Sequence, residues 1–175
     1  VIVEDPSVLS FSFVTLTKGY SSSVFSYILF FILLVLSAFF SSSETAFSSI
    51  NVIRLKNAYD EGKIGAKKAL YIAENFDKTL SAILIGNNIV NIGMASLATV
   101  IAIDLINNIQ GPIFATLTAT ILILLFGEIL PKSFAKENSL SFCLKFSWLL
   151  IIIMHIFSPF TFLVMKLKEL LVKFF

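Results

Sequence analysis

Three long apolar stretches constrain the fold of this chain more than any other feature. The first contains no charged residue between Val24 and Phe40, and the apolar parts of the other two contain only one, Glu128. A helix that crosses the hydrocarbon core of a bilayer needs roughly 20 mostly apolar residues. We therefore predict three membrane-spanning helices, at about 24–50, 79–104 and 112–135.

The overall composition supports a lipid environment. Of 175 residues, 57% are hydrophobic and 14% are charged, and the mean hydropathy is +0.94, whereas a soluble domain has about half apolar and about a quarter charged residues. The net charge of +2 does not favour a nucleic-acid partner. Cys143 is the single cysteine and His155 the single histidine, so the chain cannot build a cysteine- or histidine-rich metal site.

Basic residues predict the topology. The segment 107–111 carries none of them. The connection 51–78 carries six: Arg54, Lys56, Lys63, Lys67, Lys68 and Lys78. By the positive-inside rule, 51–78 is cytoplasmic and the N-terminus lies outside. We expect this connection to be helical and to be divided into two pieces at Gly62 and Gly65.

The segment 138–175 is apolar enough to be ambiguous. A fourth span would place Lys166, Lys168 and Lys173 on the outer face, against the positive-inside rule. We therefore favour amphipathic juxtamembrane helices, interfacial or re-entrant, and a cytoplasmic C-terminus. The result is an all-α membrane protein with three transmembrane helices, and 1–175 is expected to form a single transmembrane domain.

Three asparagines lie within the second predicted span. Asn87 and Asn91 are four residues apart, so their amides lie on one helical face, and Asn88 lies about a hundred degrees away. One interpretation is that these amides form hydrogen bonds between helices, which are worth about 0.6 kcal/mol each. The other is an oxygen-lined pocket, which acidic residues in the neighbouring spans would complete.

Proline and glycine mark the third predicted span. Pro131 has no amide hydrogen, so it cannot bond the carbonyl of Gly127 four residues earlier. That carbonyl lies next to the carboxylate of Glu128, and the pair would suit a hard cation. The alternative is an ordinary proline kink at the membrane edge, with Glu128 reaching toward water.

A run of serines ends the first predicted span. The hydroxyls of Ser41, Ser42 and Ser43 can bond the preceding turn of their own helix, or can present oxygens to a cation. For Glu44 we favour a position at the membrane edge, paired with a lysine or arginine. Hydroxyl, amide, carbonyl and carboxylate oxygens together are the ligands of magnesium or calcium rather than of zinc or copper.

At these three elements the sequence resembles the transmembrane domain of the CorC/CNNM family, which is associated with magnesium export. The matching runs are Ser41-Ser42-Ser43-Glu44-Thr45-Ala46, Ile85-Gly86-Asn87-Asn88-Ile89-Val90-Asn91 and Gly127-Glu128-Ile129-Leu130-Pro131-Lys132. Many relatives have glycine where this chain has Ser42. Relatives usually continue into a cytoplasmic nucleotide-binding region of CBS type, and we recognise no such region within 1–175.

The resemblance implies a multi-pass protein of the inner (plasma) membrane, a juxtamembrane helical belt and a homodimer. It also implies a largely dehydrated Mg²⁺ ion, with Na⁺ as the coupling ion. Carried over by motif, the implied ion ligands are Ser41, Asn87, Asn91, Gly127 and Glu128, with Ser43 and Asn88 as second choices.

The leading hypothesis is a secondary transporter that exports magnesium. The alternative is a membrane module that senses magnesium or modulates another transporter without moving the ion itself. A membrane enzyme is disfavoured, since no Ser–His–Asp pattern or histidine-based metal motif is visible in the sequence.

Overall fold

A computed structural model describes residues 24–106 and 111–174, with side chains for 24–102 and 116–167. The described residues are helical apart from short turns. In chain order the elements are α1 Val24–Ser49, α2 Val52–Asp60, α3 Ala66–Glu74, α4 Phe76–Ile106, α5 Gly111–Leu122, the π-helical segment π1 Ile123–Ile129, α6 Leu130–Glu137, α7 Ser139–Ile156 and α8 Ser158–Phe174.

The connection between α1 and α4 forms two short helices, as the sequence predicted. The Asn51 side chain accepts a hydrogen bond from the Ile53 amide at 2.8 Å and so begins α2. Gly62 and Gly65 separate α2 from α3 with φ angles of 71° and 85°. Residues with a Cβ rarely adopt this left-handed conformation, so the two glycines fix the break.

Helices α1 and α4 pack against each other at two glycines. A Cβ on Gly86 would collide with the aromatic ring of Phe40, and one on Gly93 would lie 3.2 Å from Leu33 Cδ1. Small residues allow membrane helices to approach closely, which increases their van der Waals contact. This contact aligns the serine face of α1 with the asparagine face of α4.

The third predicted span is not a uniform α-helix. It changes to a π-helix over Ile123–Ile129, where the Leu130 amide donates to the Leu125 carbonyl five residues earlier. Pro131 then lies in the first turn of α6, a position where its missing amide hydrogen costs little. The sequence predicted a break of regular α-helical bonding before Pro131, and the wider π turn is the form it takes.

Helix α7 lies against α1 and the α2–α3 connection. Phe39 of α1 contacts Phe142 and Phe146, with ring centroids 6.3 and 5.9 Å apart. Ser147 Oγ donates to the Gly65 carbonyl at 3.3 Å, and a Cβ on Gly65 would collide with the Leu144 carbonyl. Glycine is therefore required at residue 65 both for its backbone conformation and for this close approach.

Large apolar side chains cover the outer surfaces of the long helices. Phe31 and Val35 of α1 and Ile121 and Phe126 of the third span are more than half exposed. A soluble protein rarely exposes so much contiguous apolar surface, whereas a bilayer covers it. This is the lipid-facing surface that the composition predicted.

Among the residues that the structure describes, four helices are long and apolar enough to cross a membrane: Val24–Ser49, Phe76–Ala102, Thr116–Glu137 and Ser139–Ile156. The first three agree with the predicted spans within a few residues. The fourth is the first half of the segment 138–175, for which the sequence favoured an interfacial position. Length and composition do not separate the two arrangements, so the three-span topology stays a prediction.

The amphipathic face predicted for the end of the chain falls partly outside the described side chains. Leu163 and Leu167 lie on α8 and are exposed, while nothing is described for the side chains beyond Leu167.

Candidate functional site

Ser37 lies where α1 meets α4. Its side chain is fully buried, and its hydroxyl donates to Asn91 Oδ1 at 3.0 Å and lies 3.5 Å from Asn87 Oδ1. A hydroxyl has one proton to donate, so the shorter contact is the principal hydrogen bond. Three polar side chains thus meet between two apolar helices.

Gly127 adds the π-helical segment to this cluster. It is buried, and a Cβ at this residue would lie 3.0 Å from Ser37 Oγ. A side chain here would press on the hydroxyl that joins α1 to the asparagines. The glycine therefore lets π1 approach the polar face of α1, and three predicted spans converge on Ser37.

Ser41 lies one helical turn beyond Ser37 on the same face of α1. It is fully buried, and its hydroxyl has no hydrogen-bond partner among the described residues. Leaving a buried hydroxyl unsatisfied costs about 1–3 kcal/mol. Ser41 therefore offers an oxygen with nothing bound to it beside a cluster of other oxygens.

Glu128 follows Gly127 in the π-helical segment and is half-buried. Within the described part of the chain, its carboxylate forms no salt bridge or side-chain hydrogen bond. It is the acidic group nearest in sequence to the glycine of the cluster, on a segment whose backbone is not α-helical. π-helical turns occur frequently at functional sites.

Two further residues of the serine motif, Ser42 and Glu44, join α1 to α6. Ser42 Oγ donates to the Pro131 carbonyl at 3.2 Å, and Glu44 forms a salt bridge with Lys132 at 3.4 Å. The paired role favoured for Glu44 is therefore confirmed. Ser42 thus bonds the carbonyl of Pro131, two residues after the end of the π-helical segment.

The two second-choice ligands lie outside the cluster. The Ser43 hydroxyl is buried and donates to the Phe39 carbonyl of its own helix at 2.8 Å, and the Asn88 side chain is exposed. The structure thus brings together Asn87, Asn91 and Gly127, and places Ser41 one turn away from Ser37.

The sequence reasoning missed Ser37, although a signal for it was present. Ser37 and Ser41 are four residues apart, as are Asn87 and Asn91, so each pair shares one helical face. The spacing of Ser37 and Ser41 therefore matches that of the two asparagines.

Clusters of the usual metal-binding side chains are absent from the described residues, where no three of His, Cys, Asp and Glu come together. The oxygens that do converge are the Ser37 hydroxyl and the amide oxygens of Asn87 and Asn91, with Gly127 packed against Ser37 and Glu128 next to it in sequence. Neutral oxygens of this kind suit hard cations such as Mg²⁺, Ca²⁺ and Na⁺ rather than zinc or copper.

Long apolar helices that enclose a cluster of polar side chains at a helix interface are typical of a helical membrane protein. Residues 28–175 match the family described as the cyclin M transmembrane N-terminal domain (CNNM), and the chain belongs to this family. The family is linked to Mg²⁺ transport, and the CorC/CNNM resemblance is confirmed.

Curated relatives agree with this assignment. A UPF0053 protein of Haemophilus influenzae is 41% identical over 133 residues, which cover 76% of this chain and 31% of the relative. The UPF0053 inner membrane protein YfjD of Escherichia coli is 32% identical over 138 residues, covering 79% of this chain and 32% of YfjD. The chain thus spans about a third of the length of these relatives.

Proposed function

We propose that this domain binds and exports Mg²⁺ through a site between α1, α4 and the π-helical segment. The observation that carries the proposal is the convergence of Ser37, Asn87, Asn91 and Gly127 beside the unpartnered hydroxyl of Ser41. The E. coli relative is by name an inner membrane protein, and we place this chain in the same kind of membrane.

The proposed ligands are oxygens from three different helical segments. Ser41, Asn87 and Asn91 supply side-chain oxygens, and Gly127 supplies its backbone carbonyl. Mg²⁺ requires near-octahedral oxygen ligands at about 2.0–2.1 Å and gives up its waters reluctantly. Several protein oxygens are therefore needed to replace the hydration shell, and the cluster provides them without further charge.

Glu128 supplies the negative charge in this proposal. An ionised carboxylate near a helix centre costs about 2.5–3.5 kcal/mol on insertion scales. A bound divalent cation would offset that cost, and Glu128 has no cationic partner among the described residues. A single carboxylate among neutral ligands also leaves the ion weakly enough held to be released, as transport requires.

Ser43 and Asn88 are excluded from the proposed ligand set. The Ser43 hydroxyl is engaged with its own helix at Phe39, and Asn88 is exposed on another face of α4. Asn88 is therefore a matched control for Asn91, because both are asparagines in the same helix.

Sodium exchange would drive export, since Na⁺ is also a hard cation and accepts the same oxygen ligands. Alternating access would require the α1–α4 interface and π1 to change their packing around the ion. Assembly as a homodimer and regulation through a CBS-type region belong to the same proposal for the whole protein.

Flux measured in proteoliposomes tests this function. With Mg²⁺ outside and an indicator dye inside, native protein should move Mg²⁺ when a Na⁺ gradient is imposed in the opposite direction. Asn91→Ala and Glu128→Gln should abolish the flux, and Asn88→Ala should keep it. Saturable Mg²⁺ binding with no flux under any gradient would instead identify a sensing module.

A further inference from the structure

A groove between the α2–α3 connection and α7 lies away from the proposed ion site. It has a volume of about 820 Å³, and its walls come from the start of α3 and the first half of α7. Pockets of this size commonly accommodate small organic ligands. Nothing in the ion-binding proposal uses it.

The groove carries three exposed lysines, Lys67 and Lys68 on one wall and Lys145 on the other. None of the three forms a salt bridge with an acidic side chain in the described part of the chain. Like charges placed around one concave surface repel one another unless an anion lies between them. The positive charge of the groove therefore favours a negatively charged ligand.

Apolar groups line the same groove beside the lysines. The Ile64 side chain is 96% exposed and the Trp148 side chain is 50% exposed, and Leu144 completes this apolar part. Full exposure of an isoleucine to water is unfavourable, and tryptophan is enriched where a membrane meets water. An occupant with both an anionic group and hydrocarbon fits this combination better than a soluble anion does.

The position of the groove in the chain agrees with a membrane surface. The α2–α3 connection joins two long apolar helices, α1 and α4, so it lies at one of their ends. It is also the segment whose six basic residues predict a cytoplasmic position, and the cytoplasmic leaflet is the one rich in anionic lipid.

The walls of the groove are held together. Ser147 Oγ donates to the Gly65 carbonyl at 3.3 Å, and Gly65 approaches the Leu144 backbone so closely that no Cβ would fit. The two lysine-bearing walls therefore keep a fixed separation, and the site does not need to be assembled when a ligand arrives.

From this geometry we propose that the groove binds the phosphate headgroup of an anionic phospholipid. The three lysine ammonium groups hold the phosphate, and Trp148 and Ile64 contact the glycerol and the first part of the acyl chains. This site is independent of the magnesium proposal.

Trp148 is the single tryptophan of the chain, so its fluorescence reports on this site alone. In nanodiscs, brominated phosphatidylglycerol should quench Trp148 fluorescence several-fold more strongly than brominated phosphatidylcholine at the same mole fraction. Each lysine near an anionic surface contributes about 1 kcal/mol, which corresponds to about a fivefold preference. Replacing Lys67, Lys68 and Lys145 with glutamine should therefore remove the selectivity.

A matched control separates the groove from general surface charge. Changing Lys56, Lys136 and Lys166 to glutamine removes the same three charges elsewhere and should leave the selectivity intact. If both triple variants lose selectivity equally, or if native protein is quenched equally by both lipids, the proposal is overturned.

Two measurements on native protein complete the test without depending on the variants. Raising the ionic strength should reduce the phosphatidylglycerol preference, because salt screens exposed charges. At constant ionic strength, replacing chloride with inorganic phosphate should not relieve the quenching. Relief would mean that the groove takes a free phosphate, and shielding of Trp148 from both lipids would mean that a protein surface covers it; either result refutes a lipid site.

Discussion

Replacing Gly127 with alanine should weaken Mg²⁺ binding without removing any proposed ligand atom. The added Cβ would lie 3.0 Å from Ser37 Oγ, so one of the two groups must give way by a few tenths of an ångström. The substitution therefore tests the close approach of π1 to α1, which any site between them requires.

The magnitude follows from the two ways in which the contact can relax. If the Ser37 hydroxyl turns away, it loses its 3.0 Å bond to Asn91, which is worth about 1 kcal/mol and hence about fivefold in affinity. If α1 and π1 separate instead, the proposed ligands move by a few tenths of an ångström. Such a movement weakens binding because Mg²⁺ requires oxygen distances of about 2.0–2.1 Å. We expect Mg²⁺ affinity to fall by roughly tenfold.

Calcium provides an internal comparison in the same assay. Ca²⁺ accepts longer and more variable oxygen distances, of about 2.3–2.6 Å. Gly127→Ala should therefore reduce Mg²⁺ binding more than Ca²⁺ binding, which titration calorimetry on purified protein can measure for both ions.

Gly93→Ala is the matched control, because Gly93 also faces α1. Its added Cβ would lie 3.2 Å from Leu33 Cδ1, the mobile end of an apolar side chain that can move aside. Affinity for Mg²⁺ should stay native in this variant. If folded Gly127→Ala protein binds Mg²⁺ as tightly as Gly93→Ala protein does, the π1–α1 contact is not part of an ion site.

Further predictions concern the serines, the proline and the topology. Ser41→Ala should raise thermal stability slightly, since it removes a buried hydroxyl without a partner, and it should lower Mg²⁺ affinity. Ser43→Ala should leave Mg²⁺ affinity unchanged. Equal effects on Mg²⁺ affinity in the two variants would count against Ser41 as a ligand. Pro131→Ala restores an amide hydrogen that favours continuous α-helical bonding, so Mg²⁺ flux should fall, and unchanged flux would make the π-helical segment irrelevant to transport. A cysteine introduced at the exposed Asp60 should react with a membrane-impermeant maleimide only from the cytoplasmic side, whereas labelling from outside would invert the topology. The native Cys143 is buried and should contribute little background.

The helical framework was predictable because bilayer thickness and local chemistry act on contiguous residues. Three long apolar stretches, with Glu128 as their one charged residue, predicted the long helices. Gly62 and Gly65 set the break in the connection through their own backbone freedom. The position of α7 was harder to predict. Its apolar residues satisfy the length of a span, while its contacts with Gly65 depend on tertiary packing that no local pattern encodes.

The candidate site was predictable in its residue types and less so in its membership. Spacing alone placed Asn87 and Asn91 on one face, and Pro131 predicted the altered bonding near Gly127. Ser37 was missed, because its importance comes from contacts with α4 and π1 that are distant in sequence. The structure shows why Ser43 and Asn88 lie outside the cluster. The Ser43 hydroxyl bonds its own helix, and Asn88 is exposed on another face of α4.

Titration calorimetry of Mg²⁺ into the purified chain tests the central claim most directly. Native protein and the Asn88→Ala control should show saturable binding of the same affinity. In Asn91→Ala and Glu128→Gln the affinity should fall by tenfold or more, since a charge-assisted contact is worth about 1.5–3 kcal/mol. Equal affinity in all four proteins, or no saturable binding to native protein, would contradict an ion site between α1, α4 and the π-helical segment.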